Sequence, residues 1–381
     1  MVYTHRRWPG IIGLDLSKHT YSGCRLSGEG YTRRRNFTGK MTQDESGYVR
    51  LLDEINTDDL VIMESGSSSF NLARFLINNT SAEIVVLNPA QLRLIWDSQR
   101  KTDKADAMKL ACIGRDMRPE AWPTVSIPTE EEQAERSIVT FHVFLKEKET
   151  ADYNRFFALF NGVGYPDIDK KRCKVDSDYR YMLVSELLTG QAQDVGRIIN
   201  SGIDLLSLQL AEVEQQLIEI CLNHPQQALA WLSIPGIGLV NAATLIAYVG
   251  DGSRFPKPEQ LLNYAGLVPK LNQSGITNIH GKVTKKGCRC VRRNIIQGAC
   301  SIINQKYNPS SPLSRFAYKK KKELIYHGKV AVAVANHMLK TGLALLHHGD
   351  LYCSTKEDNF EKLKQKLAGY KLSALIHYLP Q

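Results

Sequence analysis

The first third of the chain alternates short apolar stretches with amphipathic ones, and this alternation limits the folds open to it. Residues 11–16 form a short run rich in branched side chains, as expected of a buried strand. Two alternating stretches, 20–26 and 31–37, follow it and are joined by 27–30, whose two glycines suit a hairpin turn. These three strands are predicted to form an antiparallel meander.

Helical and extended segments then alternate up to about residue 117. The predicted elements are a helix capped by Thr42, a strand at 60–64, a helix at about 70–78, a strand at 83–87, and a helix from Asp103 to about Met117 with Thr102 as N-cap. The resulting order, β-β-β-α-β-α-β-α, predicts an α/β domain.

Four carboxylates stand where these elements begin or end. Asp15 lies on the first strand, Glu64 ends the fourth, and Asp103 and Asp106 share one face of the last helix. Open α/β sheets bind ligands outside the carboxyl ends of their strands, so these side chains are expected to meet. Clustered oxygen ligands suit Mg²⁺ or Mn²⁺, and two ions about 3.5–4 Å apart would serve phosphodiester chemistry. The alternative is that each acid is a solvated surface residue or a helix cap.

A second motif lies in the sequence Pro235-Gly236-Ile237-Gly238, between two apolar segments. It predicts a helix-hairpin-helix turn, in which Gly236 and Gly238 let backbone amides approach a phosphate. A purely structural turn between helices is equally compatible with so short a motif.

The chain carries a formal net charge of +10, and basic residues gather downstream of this turn. A polyanion is the natural partner of such a chain, although a charge run can also be a solvated face. Tyr307, Phe316 and Tyr318 lie between these residues and a second basic run, Lys319 to Lys322, and either stack on bases or pack in a core. The candidate nucleic-acid contacts are Lys101, Gly236, Gly238, Lys282, Lys285, Lys286, Arg289, Arg292 and Arg293.

Residues 121–228 are predicted to form long helices. An apolar stripe runs from Leu205 to Cys221, and glycine or proline interrupts the helices at 162–166 and 189–196. The stripe allows packing within the chain or between chains. Another amphipathic helix is predicted in the tail, 352–381.

The chain resembles the DEDD transposases of insertion sequences, which work as bridge-RNA-guided recombinases and have the Piv-type DNA invertases as relatives. The motifs that carry the resemblance are Gly13-Leu14-Asp15-Leu16-Ser17-Lys18, Met63-Glu64-Ser65-Gly66, Val86-Leu87-Asn88-Pro89, Lys101-Thr102-Asp103-Lys104-Ala105-Asp106-Ala107, Ile234 to Gly238, Tyr264 to Pro269, and Gln273-Ser274-Gly275. The resemblance implies an RNase H-like (RuvC-like) domain at 1–120, a helical, coiled-coil-like linker at 121–228, a helical C-terminal transposase domain at 229–345 and a helical tail at 346–381.

The same resemblance assigns a role to Ser274, which on its own is an ordinary turn residue. In the family, a serine at this position attacks the scissile phosphate and stays linked to DNA until the strands are rejoined. Serine needs activation, which the metal-holding carboxylates would provide. The resemblance also implies donor and target DNA and a structured guide RNA as partners. Because serine and carboxylates come from different protomers in the family, a homodimer or homotetramer is expected.

Three other interpretations remain open at this point. Gly13 to Lys18 is also similar to the first phosphate loop of actin-like sugar kinases, although the second glycine-rich loop of that class is missing. The chain could bind nucleic acid without cutting it, or act as a junction-resolving endonuclease that hydrolyses without a protein-linked intermediate. Without about 20 consecutive apolar residues or a signal-peptide pattern, a cytoplasmic, nucleoid-associated protein with no membrane partner is expected.

Overall fold

The computed structural model describes residues 8–92, 103–274, 277–308, 311–352 and 356–379. Within these ranges the side chains are described except at residues 90, 270–274, 277–282 and 356–359. The chain divides into two compact units, Met1–Glu130 and Glu131–Gln381. The first is a mixed α/β unit and the second is mostly helical.

The first unit contains one sheet and four described helices. Its strands are β1 (Gly10–Leu16), β2 (Thr20–Ser27), β3 (Arg33–Lys40), β4 (Leu60–Glu64) and β5 (Glu83–Leu87). Its helices are α1 (Tyr48–Leu52), α2 (Ser69–Asn79), α3 (Pro89–Leu92) and α4 (Asp103–Asp116), with 3₁₀ turns at Glu29–Tyr31 and Pro119–Ala121.

The five strands lie in the order β3-β2-β1-β4-β5. β1, β2 and β3 form the predicted antiparallel meander, and β4 and β5 run parallel to β1. β1 is therefore a central strand, and its apolar residues point alternately to two cores. Ile11 packs with α4 on one face of the sheet, which we call the α4 face, and Ile12 and Leu14 pack with α1 and α2 on the other.

Two elements of this unit differ from the sequence prediction, and the short helix α3 was not predicted. Gly28 and Gly30 adopt positive φ as expected, but the turn continues to Tyr31, so β3 starts at Arg33. The helix assigned to Thr42 begins only at Tyr48. The reason is local: Asp44 accepts hydrogen bonds from the Thr42 and Ser46 hydroxyls at 2.8 and 2.7 Å, and this closed turn competes with a helical start.

The second unit consists of helices and one hairpin in its described ranges. The helices are α5 (Glu130–Gly162), α6 (Lys170–Cys173), α7 (Ser177–Leu187), α8 (Gly190–Asn223), α9 (Pro225–Ser233), α10 (Leu239–Val249), α11 (Pro258–Ala265), α12 (Arg289–Asn304), α13 (Pro312–Glu323), α14 (His327–His348) and α15 (Lys356–Gly369). The hairpin is β6 (Pro269–Ser274) and β7 (Thr277–Val283), and a 3₁₀ segment spans Ser373–Tyr378.

The two longest helices, α5 and α8, pack side by side. Leu145 of α5 contacts the buried Leu210 and Val213 of α8, so this part of the predicted stripe is a core face. Leu205 and Leu208, at 56% and 71% exposure, lie outside it. The predicted break after α5 is present, whereas the one at 189–196 is wrong in extent. α8 already starts at Gly190, and Gly196 lies inside it, where a side chain would crowd Leu188.

The core of the second unit is centred on α14. This helix is long and apolar enough to span a membrane, but its apolar side chains, such as Val334 and Met338, are buried in the core with α9, α10 and α12. The helices approach closely because Gly342 lies under the Trp231 ring, and a methyl group there would come within 1.8 Å of it. Burial therefore accounts for the apolar character of α14.

Candidate active site

Asp15 and Glu64 lie on neighbouring parallel strands. The β1–β4 register pairs Leu14 with Met63, so the two acids follow as the next pair at the carboxyl ends of their strands. Neighbouring strands are about 4.8 Å apart. Side chains alternate along a strand, so Asp15 shares the α4 face with Gly13, and Glu64 shares it with Ile62. The sheet thus places these two carboxylates side by side, Asp15 partly buried and Glu64 exposed.

Helix α4 brings Asp103 and Asp106 to the same end of the α4 face. A methyl group on Gly13 would lie 2.1 Å from the Ala107 carbonyl oxygen, so the backbones of β1 and α4 touch there. Farther along the helix, Gly114 packs on Ile11, so α4 runs antiparallel to β1. The first turn of α4, which carries Asp103 and Asp106, therefore lies at the end of β1 that carries Asp15.

A cation that the sequence analysis did not identify also lies in this cluster. The Lys109 Nζ is 2.5 Å from a carboxylate oxygen of Asp106, and both side chains are about one quarter exposed. The i, i+3 spacing on the predicted helix could have indicated the pair. Lys109 offsets part of the repulsion among the acids when they are close together.

The arrangement fits a divalent metal by its donor set. Four carboxylates from three elements stand on one face, although no three of these described side chains bring their oxygens within 4.8 Å of one another. Hard oxygen ligands of this kind are preferred by Mg²⁺ and Mn²⁺. The close contact at Gly13 is the observation that favours a metal site here. It leaves no side chain between β1 and α4, so Asp103 and Asp106 can lie near Asp15. Magnesium or manganese at these residues remains a prediction.

Some sequence-predicted residues fall outside the description. Lys101 lies outside the described residues, and the side chains of Ser274 and Lys282 are not among those described. The backbone of Ser274 ends β6 and pairs with Thr277 across the hairpin. Their predicted roles stay predictions.

The turn predicted to be a helix-hairpin-helix joins α9 to α10. Gly236 has φ +82°, and a methyl group on it would lie 2.5 Å from the Gly298 carbonyl oxygen of α12. Gly238 lies against the Tyr370 hydroxyl, 3.0 Å from where its side chain would be. Both glycines therefore have a packing role, and their predicted contact with phosphate stays a prediction.

The predicted basic contacts divide into two groups. Arg289 and Arg293 both pair with Glu147 of α5, and Arg292 donates to the Ala265 carbonyl at 2.9 Å. These three residues contribute to holding α12 in place. Lys285 and Lys286 are exposed in the loop that follows β7. The two lysines are the better placed for a polyanion.

The aromatic residues near the second basic run also divide. Phe316 stacks on His337 with ring centroids 4.4 Å apart and packs against the core. Tyr307 and Tyr318 are about half exposed and contact each other, with centroids 4.6 Å apart. Core packing thus explains Phe316, and base stacking remains open for the two tyrosines.

A second cluster of potential ligands lies in the helical unit. One side-chain oxygen or nitrogen of each of Glu131, Glu135 and His224 falls within 4.8 Å of the others. His224 and the buried Glu135 form a 2.7 Å hydrogen bond that ties α5 to the α8–α9 junction, and burial raises the pKa of Glu135. This packing role accounts for the pair without a metal.

A mixed sheet with four acids on one face, followed by a helical unit, is consistent with a DEDD transposase, a class of DNA-recombining enzyme. Residues 12–164 match the DEDD transposase domain of the IS110 group, and residues 229–313 match the domain described as "Transposase IS116/IS110/IS902 family". The chain belongs to this IS110/IS116 family of transposases. The first match extends beyond the sheet into α5.

Individual relatives agree with this family. The pilin gene-inverting protein of Moraxella bovis is 26% identical over 276 residues, covering 70% of this chain and 74% of the relative. The transposase for insertion sequence element IS1111A of Coxiella burnetii is 24% identical over 354 residues, covering 90% and 91%. An uncharacterized 43.6 kDa protein of insertion element IS110 from Streptomyces coelicolor is 30% identical over 166 residues, covering 43% and 39%.

Proposed function

We propose that this protein cuts and rejoins DNA strands, using an RNase H-like (RuvC-like) first unit and a serine nucleophile. The observation that carries the proposal is the placement of Asp15, Glu64, Asp103 and Asp106 on one face, at the carboxyl ends of β1 and β4 and the first turn of α4. The strand order β3-β2-β1-β4-β5, with an antiparallel meander, supports the fold assignment.

In this proposal the four carboxylates hold Mg²⁺ or Mn²⁺. The bound metal would polarise the scissile phosphate and stabilise charge on the attacking and leaving oxygens. The protein supplies the ligand geometry: β1 and β4 fix the spacing of Asp15 and Glu64, and the contact at Gly13 fixes α4 against them.

Ser274 acts as the nucleophile in this scheme. Its hydroxyl oxygen forms a bond to phosphorus, the bond from phosphorus to one strand oxygen breaks, and the serine proton ends on that leaving oxygen. One phosphate ester replaces another, so the reversal of the step with a new strand end rejoins the DNA without an energy source. The proposal requires Ser274 of the second unit to meet carboxylates of a first unit in the active assembly.

The partners follow from the same proposal. Donor and target DNA are the substrates, and a structured guide RNA selects them by base pairing, as in the family that the chain resembles. The active form is a homodimer or homotetramer at the nucleoid. The finer division into a domain at 1–120, a linker at 121–228, a transposase domain at 229–345 and a tail at 346–381 belongs to this proposal. Sequencing the RNA that copurifies with the full chain tests the guide.

The catalytic assignment is tested by paired substitutions in the full chain, assayed with its copurified RNA. Asp106→Asn is expected to lower magnesium-dependent strand breakage at least a hundredfold, while DNA binding persists. Asp116→Asn, at the exposed end of the same helix, is the matched control and should stay active. Ser274→Ala should abolish the protein–DNA adduct seen on denaturing gels, while Ser301→Ala on α12 should keep it.

Three results would contradict the proposal. If Asp106→Asn breaks DNA strands as fast as the wild type, the carboxylates do not take part in the reaction. If Ser274→Ala transfers strands as well as the wild type, the reaction does not pass through a covalent link to Ser274. Hydrolysis without any protein-linked DNA would favour a junction-resolving endonuclease instead.

A further inference from the structure

The α4 face of the edge strand β3 carries an exposed row of polar side chains. Side chains alternate along a strand, and Asn36 pairs across β2 with Cys24 and Gly13, both of which face α4. Arg34, Asn36, Thr38 and Lys40 therefore share this face, and all four are exposed. We call these four residues the β3 strip.

The strip lies on the same face as the carboxylates. The strand registers pair Asp15 with Ser22 and Ser22 with Thr38, so Thr38 stands level with Asp15, two strands away. Two strand spacings amount to about 10 Å. Lys40 pairs with Thr20, so it extends one step farther toward the β1–β2 turn.

Arg34 marks the other end of the strip. It lies close to the Cys24 and Cys112 thiols, where its positive charge offsets part of the rise in their pKa that burial causes. Its Nε donates to the Asn36 side-chain oxygen at 3.2 Å. The guanidinium is thus held beside α4 rather than extending freely into solvent.

The chemistry of the strip suits a sugar-phosphate backbone. It presents two cations, an amide and a hydroxyl, which are the side-chain types that contact phosphates. It contains no carboxylate, and the nearby Asp44 is engaged by the Thr42 and Ser46 hydroxyls.

We propose that the β3 strip binds the backbone of the DNA strand that is cut at the carboxylates. This inference rests on the proposed function, because it takes Asp15 to mark the scissile phosphate. A DNA strand that lies along β3 passes Asp15 within a few nucleotides. The β3 strip thus positions this DNA strand through its backbone and does not read its bases.

A simpler role for the cations would be to protect the edge strand, since charged residues keep sheet edges from pairing with one another. The other face of β3 provides the comparison. It carries Arg33 and Arg35, and Arg35 pairs with Glu54 at 2.9 Å. If the cations only protect the edge, those on both faces of β3 should contact DNA equally. If the β3 strip binds DNA, the cations on the α4 face should contact it far more.

Crosslinking distinguishes these roles in the full-length protein. A photoreactive benzoylphenylalanine replaces Thr38 in one variant and Arg33 in another, both exposed positions on the same strand. The probes are a mixed-sequence DNA duplex, one of its strands, and RNA of the same sequence, with divalent cations chelated so that the readout is independent of cleavage. We expect DNA to crosslink at position 38 at least tenfold more than at position 33.

Salt titration of duplex binding gives a second readout. Removing both Arg34 and Lys40 with Arg34→Ala/Lys40→Ala should make the slope of log K against log salt shallower by about 2. Arg33→Ala/Arg50→Ala removes the same charge from the opposite side of the sheet and should change it far less. Equal effects of the two double variants would overturn the proposal.

Crosslinking that is equal at the two positions, or confined to RNA, would also overturn it. Failure of the proposed function gives a different result. In that case Asp106→Asn keeps its breakage activity while the crosslink at position 38 is unchanged.

Discussion

At the scale of single residues, the candidate site depends on a glycine that carries no chemistry. Gly13 lets the β1 backbone touch the backbone of α4 at Ala107 and Ala111. The neighbouring atoms are main-chain atoms, which move only if the whole helix moves. The position of Asp103 and Asp106 relative to Asp15 is therefore sensitive to one methyl group.

Gly13→Ala is expected to destabilise the first unit by about 1–3 kcal/mol, because an added methyl group overpacks a filled contact. It should also lower strand breakage, since α4 must shift away from β1. Urea denaturation and the breakage assay measure the two effects. Gly328→Ala is the control, because nothing lies within 4 Å of the added methyl group; equal behaviour of the two variants would contradict the role assigned to Gly13.

The sequence predicted where the four acids stand, because strand and helix periodicities locate them at element ends. It did not predict their local partners. Lys109 beside Asp106 was missed, and so was the buried ion pair of Arg25 with Asp59. The i, i+3 spacing on α4 could have indicated the first pair, whereas Arg25 and Asp59 lie far apart in the sequence, and one sequence gives no signal that they meet.

At the scale of elements, the packing of α5 on α8 encloses a histidine without hydrogen-bond partners among the described residues. His142 is 5% exposed, and its Nε2 lies 3.8 Å from Glu214, which is too long for a hydrogen bond. Burial lowers the pKa of His142, and the nearby Glu214 offsets only part of that effect. Burial thus favours the neutral imidazole over the charged one.

The second unit should therefore lose stability as the pH falls. Between the ordinary histidine pKa of about 6.5 and the lower folded value, the unfolded chain binds the proton and the folded one does not. The contribution to the free energy of unfolding is complete above that range, falls as the pH drops through it, and levels off below the folded pKa. Urea titrations from pH 7.5 to pH 5, roughly the histidine range, should show a weaker decline in His142→Phe than in the wild type. The exposed His377→Phe should decline like the wild type, and an unchanged slope in His142→Phe would refute the assignment.

Element boundaries were predictable where an apolar period dominates, as in β1, β2, β4 and β5. They were less predictable where polar side chains form their own hydrogen bonds. Thr42 is predicted to be a helix cap, yet its hydroxyl donates a hydrogen bond to Asp44, and the helix starts at Tyr48. Gly196 is predicted to interrupt a helix, yet it lies inside α8, where Leu188 leaves no room for a side chain.

At the scale of the whole molecule, the formal net charge is +10, and the internal ion pairs leave it unchanged because each joins one cation and one anion. Arg289 and Arg293 are paired with Glu147, whereas Lys285, Lys286 and the β3 strip are exposed. The excess charge therefore favours a polyanion partner on more than one surface.

Duplex DNA binding should weaken steeply with salt. A protein that contacts six or more phosphates has a slope of about −5 or steeper in log K against log salt, because each contact releases counterions. Titration of the full chain by fluorescence anisotropy measures this slope. Lys285→Ala/Lys286→Ala should make it shallower by about 2, and a slope near zero in the wild type would contradict binding through the backbone.

The backbone contact between β1 and α4 also bears on mutational tolerance. Because main-chain atoms set the separation of strand and helix, the apolar residues around them can be exchanged without moving the acids. The match to relatives only 24–26% identical over most of the chain is consistent with such tolerance. Libraries that randomise the surrounding core while keeping Gly13 and the four carboxylates should yield many active proteins.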